Sequence, residues 1–217
     1  FSMMIIVSLV LTVLFLLAKD WLLNWFGASE ATFPYADSYL TIYTAGTFFA
    51  LISMGMNYFI TAQGFPVLGM MTTLIGAVIN IVLDPVFIFL FDMGVAGAAI
   101  ATVIAQMSSC AFVLLTLRRK KMKVSLGLTK PELSTGMRIV KIGFSPFLIL
   151  ATDSIIIIAL NAVLQHYGGR EYGDTLITAA TIVQSYMLLI TSPMLGITGG
   201  SQPLFSHNYG ANRPDRV

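Results

Sequence analysis

Charge is what this sequence has least of. Asp, Glu, Lys and Arg make up 10% of its 217 residues, where soluble domains carry about 25%. So few ionic groups cannot cover a water-facing surface when 57% of the residues are hydrophobic and the mean hydropathy is +0.85. A soluble globular fold is thereby excluded. Cysteine is nearly missing too: Cys110 stands alone, so no intrachain disulfide can form, and its place in an apolar run reads as a packed core thiol. No Gly-rich phosphate loop ends in Lys and Ser or Thr, which argues against ATP drive within the chain. No covalent chemistry and no cofactor are implied, and an enzyme is not expected.

What is present is long apolar runs. They extend for about 20 to 27 residues, the length of a membrane-crossing helix, whereas barrel strands alternate over roughly ten. The expected fold is therefore all-α, a polytopic transmembrane helical bundle. Six spans are predicted: Phe1 to Ala18, reaching toward Phe26; Asp37 to Ala62; Val67 to Phe91; Val95 to Leu117; Ile142 to Leu164; and Thr175 to about Thr198. Gln63-Gly64-Phe65-Pro66, Asp92-Met93-Gly94 and Gly168-Gly169 supply the Gly or Pro at which helices stop. The apolar start at Phe1 and the polar run Asn212 to Val217 read as the ends of a fragment, and Phe1 to Ala18 lacks the features of a signal peptide.

Basic residues then fix the topology. The connection Arg118 to Lys141 holds Arg118, Arg119, Lys120, Lys121, Lys123, Lys130, Arg138 and Lys141 against the single acid Glu132, and the positive-inside rule makes it cytoplasmic. With six spans, ten of the twelve Lys and Arg fall inside, leaving Lys19 and Arg170 outside. Beside two membrane spans this basic loop reads as topology rather than nucleic-acid binding. It also divides the chain into residues 1–117 with four spans, a linker 118–141, and residues 142–217 with two.

Against this apolar background Asp84 stands out, since an ionisable side chain inside a membrane helix is costly and usually functional. Asn80 lies one turn before it on the same face, and Pro85 loosens the backbone beside both. Counting helical rise from the turn at Asp92 to Gly94 puts Asp84 and Thr102 at one depth, about 12 Å from the outer end. The small residues from Gly94 to Ala101 let the two helices approach closely. The oxygens of Asn80, Asp84 and Thr102 would suit a hard cation such as Na+, and the carboxyl group of Asp84 would suit a proton.

Asp153 is a second carboxylate in an apolar span, above Gly143 and Pro146, which can bend the helix below it. With Gln184 it makes a possible second ion or substrate site. Gln106, Asn161 and Gln184 fit either a cavity lining or interhelical hydrogen bonds. Met54-Gly55-Met56 and Met70-Met71 read as adaptable core filler rather than a drug pocket.

These residues carry a family resemblance. Asn80-Ile-Val-Leu-Asp84-Pro85, followed by Gly94-Val-Ala-Gly-Ala-Ala-Ile-Ala-Thr102, resembles the fifth and sixth helices of the multidrug and toxic compound extrusion (MATE) family of bacterial efflux transporters. Ser201-Gln202-Pro203 and Asn208-Tyr209-Gly210-Ala211 resemble the end of its eighth helix. The resemblance implies twelve helices in two six-helix lobes, of which helices three to eight are here, and a multi-pass protein of the plasma membrane. It implies a secondary antiporter exporting amphipathic or cationic organic compounds, drugs and toxic cations, in exchange for Na+ or H+ by alternating access. Partners would be those small molecules and the lipid bilayer, with no nucleic acid, and a monomer is expected. It carries Asp84, Asn80 and Thr102 into the cation or proton site, with Asn57 as a further member and a first-helix Asp outside this sequence. The alternatives are a lipid-linked precursor flippase of the same superfamily, or a truncated, non-transporting membrane protein.

Overall fold

The computed structural model describes residues 1–119, 122, 126, 127, 130 and 132–216, without the side chains of Leu133, Arg170 and Glu171. The basic residues Lys120, Lys121 and Lys123 of the expected linker lie outside the described residues. Among those described there are helices and no strands: α1 (Ser2–Trp25), α2 (Phe33–Ala62), α3 (Pro66–Pro85), a π-helical turn (Val86–Leu90), α4 (Gly94–Leu117), α5 (Ser134–Gly169) and α6 (Tyr172–Gly210). All six numbered helices are long and apolar enough to cross a membrane. The chain is a multi-pass membrane protein.

Each start and stop has a local cause. Pro66 sits at the first helical positions of α3, where its missing N–H would be unpaired in any case. Pro85 cannot donate to the carbonyl four residues back, and the following turn widens to π geometry, with the Phe91 N–H on the Val86 carbonyl at 3.0 Å. Asp92 and Gly94 then take positive φ, both at 52°, and reverse the chain into α4. Gly97 is needed there: a Cβ on it would lie 2.8 Å from the Phe87 carbonyl carbon and oxygen.

The chain divides into two compact units, Phe1–Ala162 and Val163–Val217. Within the first, α2 packs on α1, α3 and α4, and α3 packs on α4. Its core joins Ile52, Met56 and Ile60 of α2 to Cys110, Val113 and Leu117 of α4, with Met122 closing over the end. Cys110 is thus a buried packing thiol. Of the methionines expected as filler, Met56 belongs to this core, whereas Met54 and Met70 are exposed, because neighbouring positions of a helix face different ways.

Within the second unit, Gly169 leaves helical geometry at φ 60°, ψ −160°, and separates α5 from α6. Both helices outrun the apolar stretches that announced them. α5 begins at Ser134 and passes through Gly143 and Pro146, and α6 runs on past Pro203 to Gly210. Hydropathy marks the part of a helix that lies in lipid, not the helix itself, so the polar flanks were not legible from it.

Candidate cation site

α3 carries a stripe of residues one turn apart, Thr72, Gly76, Asn80 and Asp84, along its face toward α4. α4 returns antiparallel and answers level by level. At the inner end the Ser109 hydroxyl donates to the Thr72 carbonyl at 2.9 Å. Gly76 lies against the same hydroxyl, so close that a Cβ there would be 2.4 Å from Ser109 Oγ. Two small positions therefore draw the helices together, and the polar residues above them meet as a result.

They meet on Asn80. Its Nδ2 donates to Asp84 Oδ1 at 3.1 Å and reaches Thr102 Oγ1 at 3.4 Å, while the Thr102 hydroxyl donates to the Ala98 carbonyl at 2.9 Å. One NH2 group thus bridges a carboxylate and a hydroxyl from two helices. All three residues are partly buried. The set is all-oxygen apart from that amide nitrogen, the donor chemistry of a hard cation or a proton rather than of a soft transition metal. No cluster of three or more His, Cys, Asp or Glu exists among the described residues.

Tyr39 of α2 is a neighbour that the sequence reading missed. Its hydroxyl lies next to the Thr102 hydroxyl and within electrostatic reach of the Asp84 carboxylate. Its ring stacks on Tyr43 one turn along, at 5.7 Å between centroids. No local pattern marks Tyr39, because its place depends on how α2 is rotated against α4.

Asn57 lies away from this cluster. It follows Tyr39 by 18 residues on the same helix, about 27 Å at 1.5 Å per residue. Its Oδ1 lies against Gly69, 2.9 Å from where a Cβ would sit, far down α3 from Asn80. That buried oxygen has no hydrogen-bond donor among the described residues. Asn57 therefore packs the opposite end of the α2–α3 contact and is no member of the cluster.

Comparison with known proteins agrees with this architecture. The family model MatE matches residues 1–86. The multidrug export protein MepA of Staphylococcus aureus (strain N315) is 30% identical over 192 residues, covering 86% of this chain and 41% of its own length. The solved structure of the MATE multidrug transporter DinF-BH superposes with a TM-score of 0.83 at 34% identity, covering 95% of this chain and 47% of that one. Over most of its own length the chain is similar to these MATE proteins. It spans somewhat under half the length of the MATE relatives it matches.

The second carboxylate of this chain has a different setting. Asp153 is exposed in the first compact unit and Gln184 is exposed in the second. Asn161 is accounted for by a hydrogen bond, its Nδ2 donating to the Phe26 carbonyl at 3.1 Å. Gln106 lies one turn inward of Thr102, and its Oε1 is buried with no donor among the described residues.

Proposed function

We propose that the full-length protein is a cation-coupled antiporter of the bacterial cytoplasmic membrane, exporting amphipathic and cationic organic compounds in exchange for Na+ or H+. The observation that carries this reading is the Asn80 amide bridging Asp84 and Thr102 between two closely packed membrane helices. An ionisable residue held there is costly unless it binds something. MepA, a multidrug export protein, and the multidrug transporter DinF-BH support the substrate class.

In this mechanism Asp84 holds the coupling cation or accepts the proton. Asn80 turns its carbonyl oxygen toward a bound Na+, releasing the bond its amide makes in the present arrangement, and Thr102 adds a hydroxyl oxygen. Occupancy shifts the balance of outward- and inward-open states by its differential affinity for the two, which weakens drug binding on the far side. Two six-helix lobes around a central cavity, divided at the 118–141 connection, supply the moving parts. A lipid-precursor flippase would need free cationic side chains for pyrophosphate. Lys19, the one basic residue of the first four helices, is instead paired with Asp37.

The test is dye transport in inside-out vesicles carrying the full-length protein. Imposed Na+ or proton gradients should drive a fluorescent organic cation, and Asp84→Asn should reduce transport to the gradient-independent background. An Asn variant that responds normally to both gradients would overturn the assignment.

A further inference from the structure

We infer that the pairing of Lys19 with Asp37 cancels two opposite charges near the Asp84 site across the thickness of α2, so that loss of either partner alone would shift cation affinity without touching the cation. The inference rests on the cation-site reading above. The Lys19 ammonium of α1 donates to Asp37 Oδ1 and to Thr41 Oγ1, the latter at 3.1 Å. Asp37 and Thr41 are one turn apart on one face of α2. Tyr39 lies between them in sequence, two residues from each, and so faces the opposite way, toward Thr102 and Asp84. The pair and the candidate site therefore lie near one level, separated by about one helix diameter, 10–12 Å.

Few other charges intervene. Asp20 adds to the field at Lys19 from α1. On α2 the titratable groups facing this region are Asp37, Tyr39 and Tyr43, on α3 there is Asp84, and α4 from Gly94 to Leu117 has no Asp, Glu, Lys or Arg. The lysine and aspartate side chains are 26% and 33% exposed, so each keeps part of its field within the protein. As a pair they are neutral, and the site sees little of either. Remove one partner and a full unit charge of known sign remains. At an effective dielectric constant of about 20 and a separation of about 12 Å, such a charge changes cation affinity about tenfold, and solvent screening lowers this to about threefold.

The sign distinguishes tuning from mere packing. Lys19→Met leaves Asp37 negative, and half-saturation should need about three- to tenfold less cation. Asp37→Asn leaves Lys19 positive and should need about three- to tenfold more. The double variant and Lys19→Arg should return close to the parent. The measurement titrates Na+ at fixed pH, and protons without Na+, against intrinsic fluorescence of the purified full-length protein and against dye efflux from proteoliposomes. Oppositely directed shifts with restoration in the double variant support the inference. Shifts in the same direction, or none, overturn it while the cation-site reading stands. Opposite shifts in fluorescence without dye efflux keep the inference and remove the transport reading. A parent protein whose fluorescence and efflux answer neither cation overturns both.

Discussion

Asp84 and Thr102 lie 18 residues apart in sequence, and Asn80 joins them through one NH2 group. Thr102→Ala removes one oxygen and leaves the helices in contact, so apparent cation affinity should fall about tenfold or more, the worth of one hydrogen bond to a charged group. Thr102→Ser should restore most of it, and a Na+ or proton titration of dye efflux reads both. Ser109→Ala provides the contrast on the same interface. It loses the bond to the Thr72 carbonyl but touches nothing in the cluster, and should cost about 0.6 kcal/mol in unfolding titrations with cation affinity unchanged. The juxtaposition of Asn80, Asp84 and Thr102 was legible because it needs only helical periodicity and a count of rise from a turn. Tyr39 was not, since nothing in the sequence says which face of α2 meets α4. Asn57 lies apart from them, its Oδ1 buried against Gly69 with no hydrogen-bond donor among the described residues.

At the scale of the element, the α3–α4 hairpin is built around positions where no side chain fits. Gly97→Val would drive a Cβ into the Phe87 carbonyl and must push α4 away from the π-helical turn. It should destabilise the folded protein by about 1–3 kcal/mol, as overpacking does, seen as a lower melting temperature in detergent. Weaker cation affinity should accompany it, because Thr102 moves with α4. The turn after Asp84 was foreshadowed by Pro85, which announces a loosened helix without saying whether it kinks, breaks or widens. Here the Val86 carbonyl takes its hydrogen bond from Phe91, and the disruption is spread over one wide turn. Helix ends were less legible than helix centres. α5 and α6 continue through Pro146 and Pro203 because a proline costs one hydrogen bond, which a long helix absorbs.

For the whole molecule, we propose that six apolar helices and the excess of Lys and Arg around residues 118–141 set the orientation, with that connection on the cytoplasmic side. In an Asp92→Cys variant the new thiol should react with a membrane-impermeant maleimide added to intact cells, and in Gln63→Cys only after permeabilisation; the reverse pattern would invert the bundle. The exposed apolar side chains along every helix are the surface such a protein presents to lipid and to neighbouring helices. The proposed coupling is the property that would join all these scales. Its most direct measurement is of opposed fluxes in the same proteoliposomes: an organic cation dye followed by fluorescence, and Na+ or H+ by isotope or internal pH. The account predicts that dye moving one way drives the coupling cation the other way, and that Asp84→Asn abolishes the cation flux and its link to dye movement. Dye transport with no opposing cation flux in the parent protein, or unchanged coupling in the Asn variant, would contradict it.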